Sequence, residues 1–134
     1  MITITQNKKV FLMCGIVGSL YHSNIPIEEM QARIYNSCNV LKHRGPDDFG
    51  VQAEENWALG HVRLSILDLT KNGRQPMQLE GSHLVITYNG EVYNYTELRT
   101  ELEEKGINFK TRTDTEVILR AFEYWKEKCF VKFN

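Results

Sequence analysis

The sequence predicts an α+β domain whose helices cover antiparallel sheet. Short β-branched and aromatic runs alternate with segments of helical periodicity, and Gly, Pro, Asn and Asp clusters bound the runs. In order, these segments read strand, helix, hairpin, hairpin, helix, strand, helix.

Cys14 to Tyr21 is short and apolar with interspersed glycines, and reads as a buried strand opened by its cysteine. A helix then starts after Ser23-Asn24, with Pro26 at an early position; Met30, Ile34, Cys38 and Leu41 give it one apolar stripe. Cys38 therefore reads as core filler. Lys42, His43 and Arg44 lie at the helix end, and Gly45-Pro46 stops it. Gly50 to Ala53 and Trp57 to Ile66 form a hairpin about the polar turn Glu54-Glu55-Asn56, and Asp68 to Gln78 has the composition of a loop.

Leu84 to Tyr88 and Glu91 to Tyr93 flank Asn89-Gly90, a strong signal for a second hairpin. Asn94 is placed to cap a helix carrying Leu98 and Leu102, with Glu97 three residues on and Gly106 at its end. A short strand is expected at Ile107 to Lys110. Thr113-Asp114-Thr115-Glu116 fits a capping box opening a last helix, with Ile118, Phe122, Trp125 and Cys129 on one face.

The 134 residues, 42% hydrophobic and 25% charged, fit a single globular domain. Sixteen Lys and Arg against seventeen Asp and Glu leave a net charge of −1, with no basic field to hold a nucleic-acid backbone. The apolar runs fall far short of the roughly 20 residues of a bilayer-spanning helix, so no membrane partner is expected. Met1 to Leu12 lack the pattern of a secretory signal, which points to the cytoplasm. Three cysteines in no zinc-like spacing suggest neither a disulfide framework nor a metal site.

Cys14 stands apart because it opens a strand instead of lying on a helix stripe. As a nucleophile it needs a base. The candidates are His43, His61, or its own α-amino group once the preceding residues are removed.

Met13-Cys14-Gly15-Ile16-Val17-Gly18, His43-Arg44-Gly45-Pro46-Asp47 and Gly60-His61-Val62-Arg63-Leu64-Ser65-Ile66-Leu67-Asp68 resemble the successive motifs of class II glutamine amidotransferase domains. Gln75-Pro76-Met77, Tyr88-Asn89-Gly90-Glu91-Val92-Tyr93-Asn94 and Arg112-Thr113-Asp114-Thr115-Glu116-Val117 are similar to the branch of glutamine-hydrolysing asparagine synthetases. The resemblance covers residues 13–134. It implies an N-terminal nucleophile hydrolase fold, an αββα sandwich of antiparallel sheets that is incomplete here. Residues 1–12 then form an N-terminal extension or precede the true start at Met13.

By the same resemblance, Cys14 would be both nucleophile and, through its free amine, base. Such an amine has a reference pKa of roughly 7.7–8.0 and can take the thiol proton near neutrality. Asn89 and Gly90 would supply the oxyanion donors. Arg63 would bind the α-carboxylate of glutamine, Asp114 and Glu91 its amino end. Ammonia would pass to a synthetase domain absent from this chain, where ATP and magnesium are expected; this chain itself needs no cofactor or metal, and oligomers are possible. His43, His61 and Arg44-Gly45-Pro46 carry structural readings. Singly, Asn89-Gly90 could be a turn, Asp114 a helix-start charge and Arg63 a solvated strand residue; the competing whole-chain reading is an inactive remnant that binds glutamine or packs on a synthetase subunit.

Overall fold

A computed structural model describes residues 14–22, 24–64 and 73–134. The expected α+β class holds: antiparallel strands are packed with helices. Strand β1 (Gly15–Leu20), helix α1 (Ile27–Leu41) and the hairpin β2 (Asp48–Glu54) and β3 (Trp57–Arg63) form the first half. The sheet order is β1-β3-β2. Register aligns Ile16 with His61 and Gly50 with His61 across the two antiparallel pairs.

Because side chains alternate along a strand, β3 sorts the molecule into two sides. Ala58 and Val62 pack with Met30, Ile34 and Cys38 of α1, as the helical stripe predicts. Gly60 lies on that side too, where a Cβ would come within 2.5 Å of Cys38 Sγ and 2.6 Å of Ile34 Cγ2. The bare backbone lets α1 settle onto the sheet. Leu59, His61 and Arg63 face the other way, beside Asp48, Gly50 and Gln52 of β2. One expectation needs correction here: β1 is not buried on both faces. Ile16 and Leu20 are exposed, because only the side of β1 that carries Val17 meets α1.

The second expected hairpin does not form about Asn89-Gly90. Strand β5 (Val85–Ile86) pairs instead with β4 (Met77–Gln78), inside what read as loop, and Gly81 at φ 77° lies in the connection. Backbone hydrogen bonding explains the difference. The Tyr88 N–H donates to Gln75 Oε1 at 2.6 Å, the Val92 N–H to Asp114 Oδ2 at 3.1 Å and the Tyr93 N–H to the Asn134 carbonyl at 2.7 Å. Other elements have claimed the groups that a ladder would use. The end of the first hairpin at Ile66 and the loop from Asp68 to Asn72 lie outside the described residues.

Helix α2 (Tyr95–Glu103) buries Leu98 and Leu102 as expected, and Gly106 follows at φ 84°. Asn94 does not cap it with its side chain. The Asn94 amide instead donates to the Lys132 carbonyl at 2.8 Å and accepts the Asn134 N–H at 2.9 Å, tying down the last residues. The expected strand at Ile107 to Lys110 is also absent. Its backbone turns to Glu116, whose fully buried carboxylate accepts the Lys110 N–H at 2.9 Å and the Thr111 N–H at 2.5 Å.

Helix α3 (Asp114–Trp125) opens as the sequence indicates, with Thr113 Oγ1 accepting the Glu116 N–H at 3.3 Å. Cys129 is fully buried but sits on a 3₁₀ segment, Lys126–Lys132, and not on α3 itself. It joins Val92, Leu98, Leu102, Val117 and Ala121 in the core between α2 and α3. Met77 and Leu79 pack on Leu119 of α3. On the sheet side, Gln52 Nε2 donates to Gln78 Oε1 at 2.8 Å and Thr87 Oγ1 to the Gly60 carbonyl at 3.4 Å. Packing thus runs from α1 through the three-stranded sheet and the β4–β5 pair to α3.

Gly60→Ala is expected to destabilise the protein by about 1–3 kcal/mol, through overpacking at Cys38 and Ile34. Adding Cys38→Ala should return part of that loss, although Cys38→Ala alone destabilises. Urea unfolding of the two single variants and the double variant measures the coupling; strict additivity would contradict the close approach of α1.

Candidate functional site

Cys14 lies at the head of β1, on the face of the sheet opposite α1, next to the end of β3. Its Sγ accepts the Leu64 N–H at 3.3 Å and lies 3.6 Å from the Leu64 carbonyl. Two donors converge on its carbonyl oxygen: Arg44 Nε at 3.2 Å and Asn89 Nδ2 at 2.9 Å. A primary amide carries two N–H groups, so this bond leaves Asn89 one more to offer.

Cys14, Arg63, Asn89, Gly90, Glu91 and Asp114 all line one pocket of about 90 Å³. Segments separated by up to a hundred residues therefore meet there. Arg63 is almost buried, which overturns its reading as a solvated strand residue. Gly73 makes room for its guanidinium: a Cβ at that position would stand 2.6 Å from Arg63 Nη2. Asp114 is also nearly buried, with Oδ2 accepting the Val92 N–H and Oδ1 lying 3.5 Å from Thr115 Oγ1. Glu91 is exposed at the rim. One guanidinium and two carboxylates around a thiol complement a small zwitterion, whose carboxylate and ammonium need opposite partners. Among the described residues, no group of three or more His, Cys, Asp or Glu could hold a metal ion, and no helix is long and apolar enough to cross a membrane.

Sequence reasoning missed several participants. Arg44 reads in the sequence as part of the helix end, yet it reaches the Cys14 carbonyl. Gln75, Tyr88, Thr113 and Thr115 line the pocket as well; their signal was present only as membership of the quoted motifs. His43 stays outside, with its exposed ring against the Val40 carbonyl at 3.0 Å.

His61 lines the pocket with both ring nitrogens buried and, among the described residues, without a hydrogen-bond partner, the Tyr88 backbone being close but short of bonding geometry. Burial pushes its pKa down to about 4, with the Tyr88 backbone and Asp48 pulling upward and Arg63 downward. The ring is accordingly neutral at pH 7 and too weakly basic to suit thiol deprotonation there. Asp48 is held below the usual carboxylate range, mainly by its hydrogen bonds from Arg74 at 2.8 and 2.9 Å. That pair fixes the start of the 73–76 segment to β2. Burial raises the Cys38 and Cys129 thiols above their ordinary value and so suppresses their thiolates.

The family model for a glutamine amidotransferase domain matches residues 13–134. The chain belongs to the glutamine amidotransferase domain family. It is 41% identical over 123 residues to "Asparagine synthetase [glutamine-hydrolyzing] 1" of Bacillus subtilis, an alignment covering 91% of this chain and 19% of that protein. It is 39% identical over 140 residues to "Putative asparagine synthetase [glutamine-hydrolyzing] 2" of Methanocaldococcus jannaschii, covering 91% of this chain and 26% of that one. A rice protein, "Asparagine synthetase [glutamine-hydrolyzing] 2", is 38% identical over 116 residues, covering 87% of this chain and 19% of its own length. The chain thus spans about a fifth to a quarter of these relatives.

Because the native His61 pKa of about 4 lies below its ordinary 6.5, the unfolded state binds the extra proton between those values. Stability is therefore complete above about pH 6.5 and falls as the pH drops toward 4, by up to about 3 kcal/mol from this group. Urea unfolding of the wild type and of His61→Gln between pH 4 and 7 is expected to show a flatter profile in the variant. Parallel profiles would mean that His61 titrates normally in the folded protein.

Proposed function

We propose that this amidotransferase domain hydrolyses glutamine to glutamate and ammonia through a thioester on Cys14, and that the ammonia serves ATP-dependent asparagine synthesis in a synthetase domain beyond this chain. The fold would be part of an αββα sandwich of the N-terminal nucleophile type. The observation that carries the reading is the convergence of a thiol, an amide donor and oppositely charged groups on one small pocket of a family member. ATP and magnesium belong to the synthetase domain, and the pocket chemistry calls for neither.

In the mature form Cys14 is the first residue and its amine is free. That amine takes the thiol proton, and the thiolate attacks the side-chain carbonyl carbon of glutamine. Negative charge develops on the amide oxygen, where the second Asn89 N–H and the Gly90 backbone N–H donate to it. The ammonium of Cys14 returns the proton to the leaving nitrogen, which departs as ammonia as the thioester forms. Water, deprotonated by the same amine, then attacks the thioester; glutamate leaves and the thiol is restored. Arg63 pairs with the substrate α-carboxylate through its planar fork, while Asp114 and Glu91 face the α-ammonium. The buried, hydrogen-bonded Asp114 suits a fixed contact, and the exposed Glu91 a weaker rim contact.

The deciding experiment compares the full-length protein beginning at Cys14 with a form that retains residues 1–13, both verified by intact mass. The first is expected to release ammonia from glutamine and to be alkylated by an electrophilic glutamine analogue at Cys14 ahead of Cys38 and Cys129. The second should be inactive, since a peptide nitrogen cannot take the thiol proton. Full turnover by the verified extended form would rule out the Cys14 amine as the base.

Two substitutions separate binding from chemistry. Asn89→Ala should lower kcat by about 10²–10³ with little change in KM, because the oxyanion contact strengthens only as charge develops. Arg63→Lys should instead raise KM about tenfold or more and leave kcat nearly unchanged, as one charge-assisted fork is lost in ground and transition states alike. Steady-state glutaminase kinetics distinguish the two patterns.

A further inference from the structure

Gln75 is nearly buried, yet both ends of its side-chain amide are engaged by other residues that line the pocket. Oε1 accepts the Tyr88 N–H at 2.6 Å, and Nε2 donates to Thr115 Oγ1 at 3.2 Å. The Tyr88 N–H can only donate, so the carbonyl end of the amide must face it and the NH₂ end must face Thr115. With its oxygen accepting from Gln75, the Thr115 hydroxyl is left to point its own proton elsewhere, and Asp114 Oδ1 lies 3.5 Å away.

The backbone of Gln75 is anchored as firmly as its side chain. On the site face of β2, Gly50 lets the Gln75 carbonyl lie against the strand, where any Cβ would collide with it. Arg74, the preceding residue, is held to Asp48 of the same strand. One rigid point on the sheet thus reaches both the segment that carries Asn89-Gly90 and the first turn of α3, which carries Asp114.

We propose that Gln75 is a positioning residue that sets two distances in the site at once: through Tyr88 it places the Asn89-Gly90 donors, and through the Thr115 hydroxyl it orients Asp114. It touches neither the attacking thiol nor the amide being cleaved, and acts only through its two hydrogen-bond partners. The inference rests on the glutaminase reading above, in which Asn89-Gly90 governs turnover and Asp114 governs glutamine binding.

The two arms can be cut separately. Gln75→Leu removes both. Gln75→Glu keeps an acceptor for the Tyr88 N–H, but its carboxylate accepts from the Thr115 hydroxyl and draws that proton away from Asp114. Thr115→Val removes the second arm alone. In the full-length protein beginning at Cys14, Gln75→Leu is expected to lower kcat and to raise KM for glutamine, each by about tenfold or more. Gln75→Glu should recover most of kcat but not KM, and Thr115→Val should share the KM defect. Because the two residues act on Asp114 in series, Gln75→Leu and Thr115→Val should be non-additive in KM.

Amide hydrogen exchange at Tyr88 supplies a readout independent of turnover. It should be about tenfold or more faster in Gln75→Leu, close to wild type in Gln75→Glu, and accompanied by unchanged exchange at Leu98 and Leu102 of α2. A folded Gln75→Leu with wild-type kcat, KM and Tyr88 exchange would overturn the proposal, as would a Gln75→Glu variant that recovers no more kcat than Leu does. If Gln75→Leu fails to fold, Gln75→Glu alone decides: raised KM with retained kcat supports the proposal, and unchanged KM overturns it. A wild type that cannot hydrolyse glutamine would sink the glutaminase reading, while the Tyr88 exchange rates would still decide whether Gln75 holds that segment.

Discussion

The two-residue period of β3 decides which of its side chains reach the pocket and which meet α1. Successive side chains of a strand leave on opposite faces, so the strand that gives Ala58 and Val62 to the α1 interface must give His61 and Arg63 to the other side. Gly60 makes the arrangement tight, because its missing side chain lets Cys38 and Ile34 approach the backbone. A one-residue slip of β3 would move Arg63 into the helix interface and Val62 into the pocket. The hydrophobic burial that fixes register on one face therefore fixes which β3 side chains reach the pocket on the other.

The pocket gathers charge in a place that burial would ordinarily keep apolar. Arg63 and Asp114 are nearly buried: Asp114 rests on the Val92 N–H and Thr115, and the Arg63 guanidinium occupies the space left by Gly73. Desolvated charges lose hydration energy and are tolerated where hydrogen bonds and opposite charges replace it. An incoming zwitterion would supply opposite charges to both. His61 marks the other response to burial, since it stays neutral and its nitrogens have no partner among the described residues.

Polar side chains here bind backbone across long sequence distances, and this is where local pattern and final structure part. Asn89-Gly90 has the composition of a hairpin turn, but Asn89 donates to the carbonyl of Cys14, seventy-five positions away. Asn94 looks like a helix cap and instead holds the chain near Lys132 and Asn134. Glu116 keeps its place in the capping box only through its N–H; its carboxylate takes the backbone of Lys110 and Thr111, which would otherwise need a strand partner. For Asn89 and Asn94 a distant partner outcompetes the local one, while the partners of the Glu116 carboxylate lie only five and six residues back.

The sequence by itself determined the elements whose signal is a repeating hydrophobic period or a closed local turn: the α1 stripe, the β2–β3 hairpin, and the start of α3 at Thr113. It also determined, through the order of its motifs, the six residues that meet at the pocket. Periodicity is a statement about burial on one face, and that survives whatever the face is buried against. Tertiary structure alone decided that β4 and β5 pair, that Glu91 to Tyr93 and Ile107 to Lys110 are not strands, and that Arg44 and Gln75 reach the site. A long-range hydrogen bond leaves no period in the sequence, because its partner is defined only once the chain has brought two remote segments within about 3 Å.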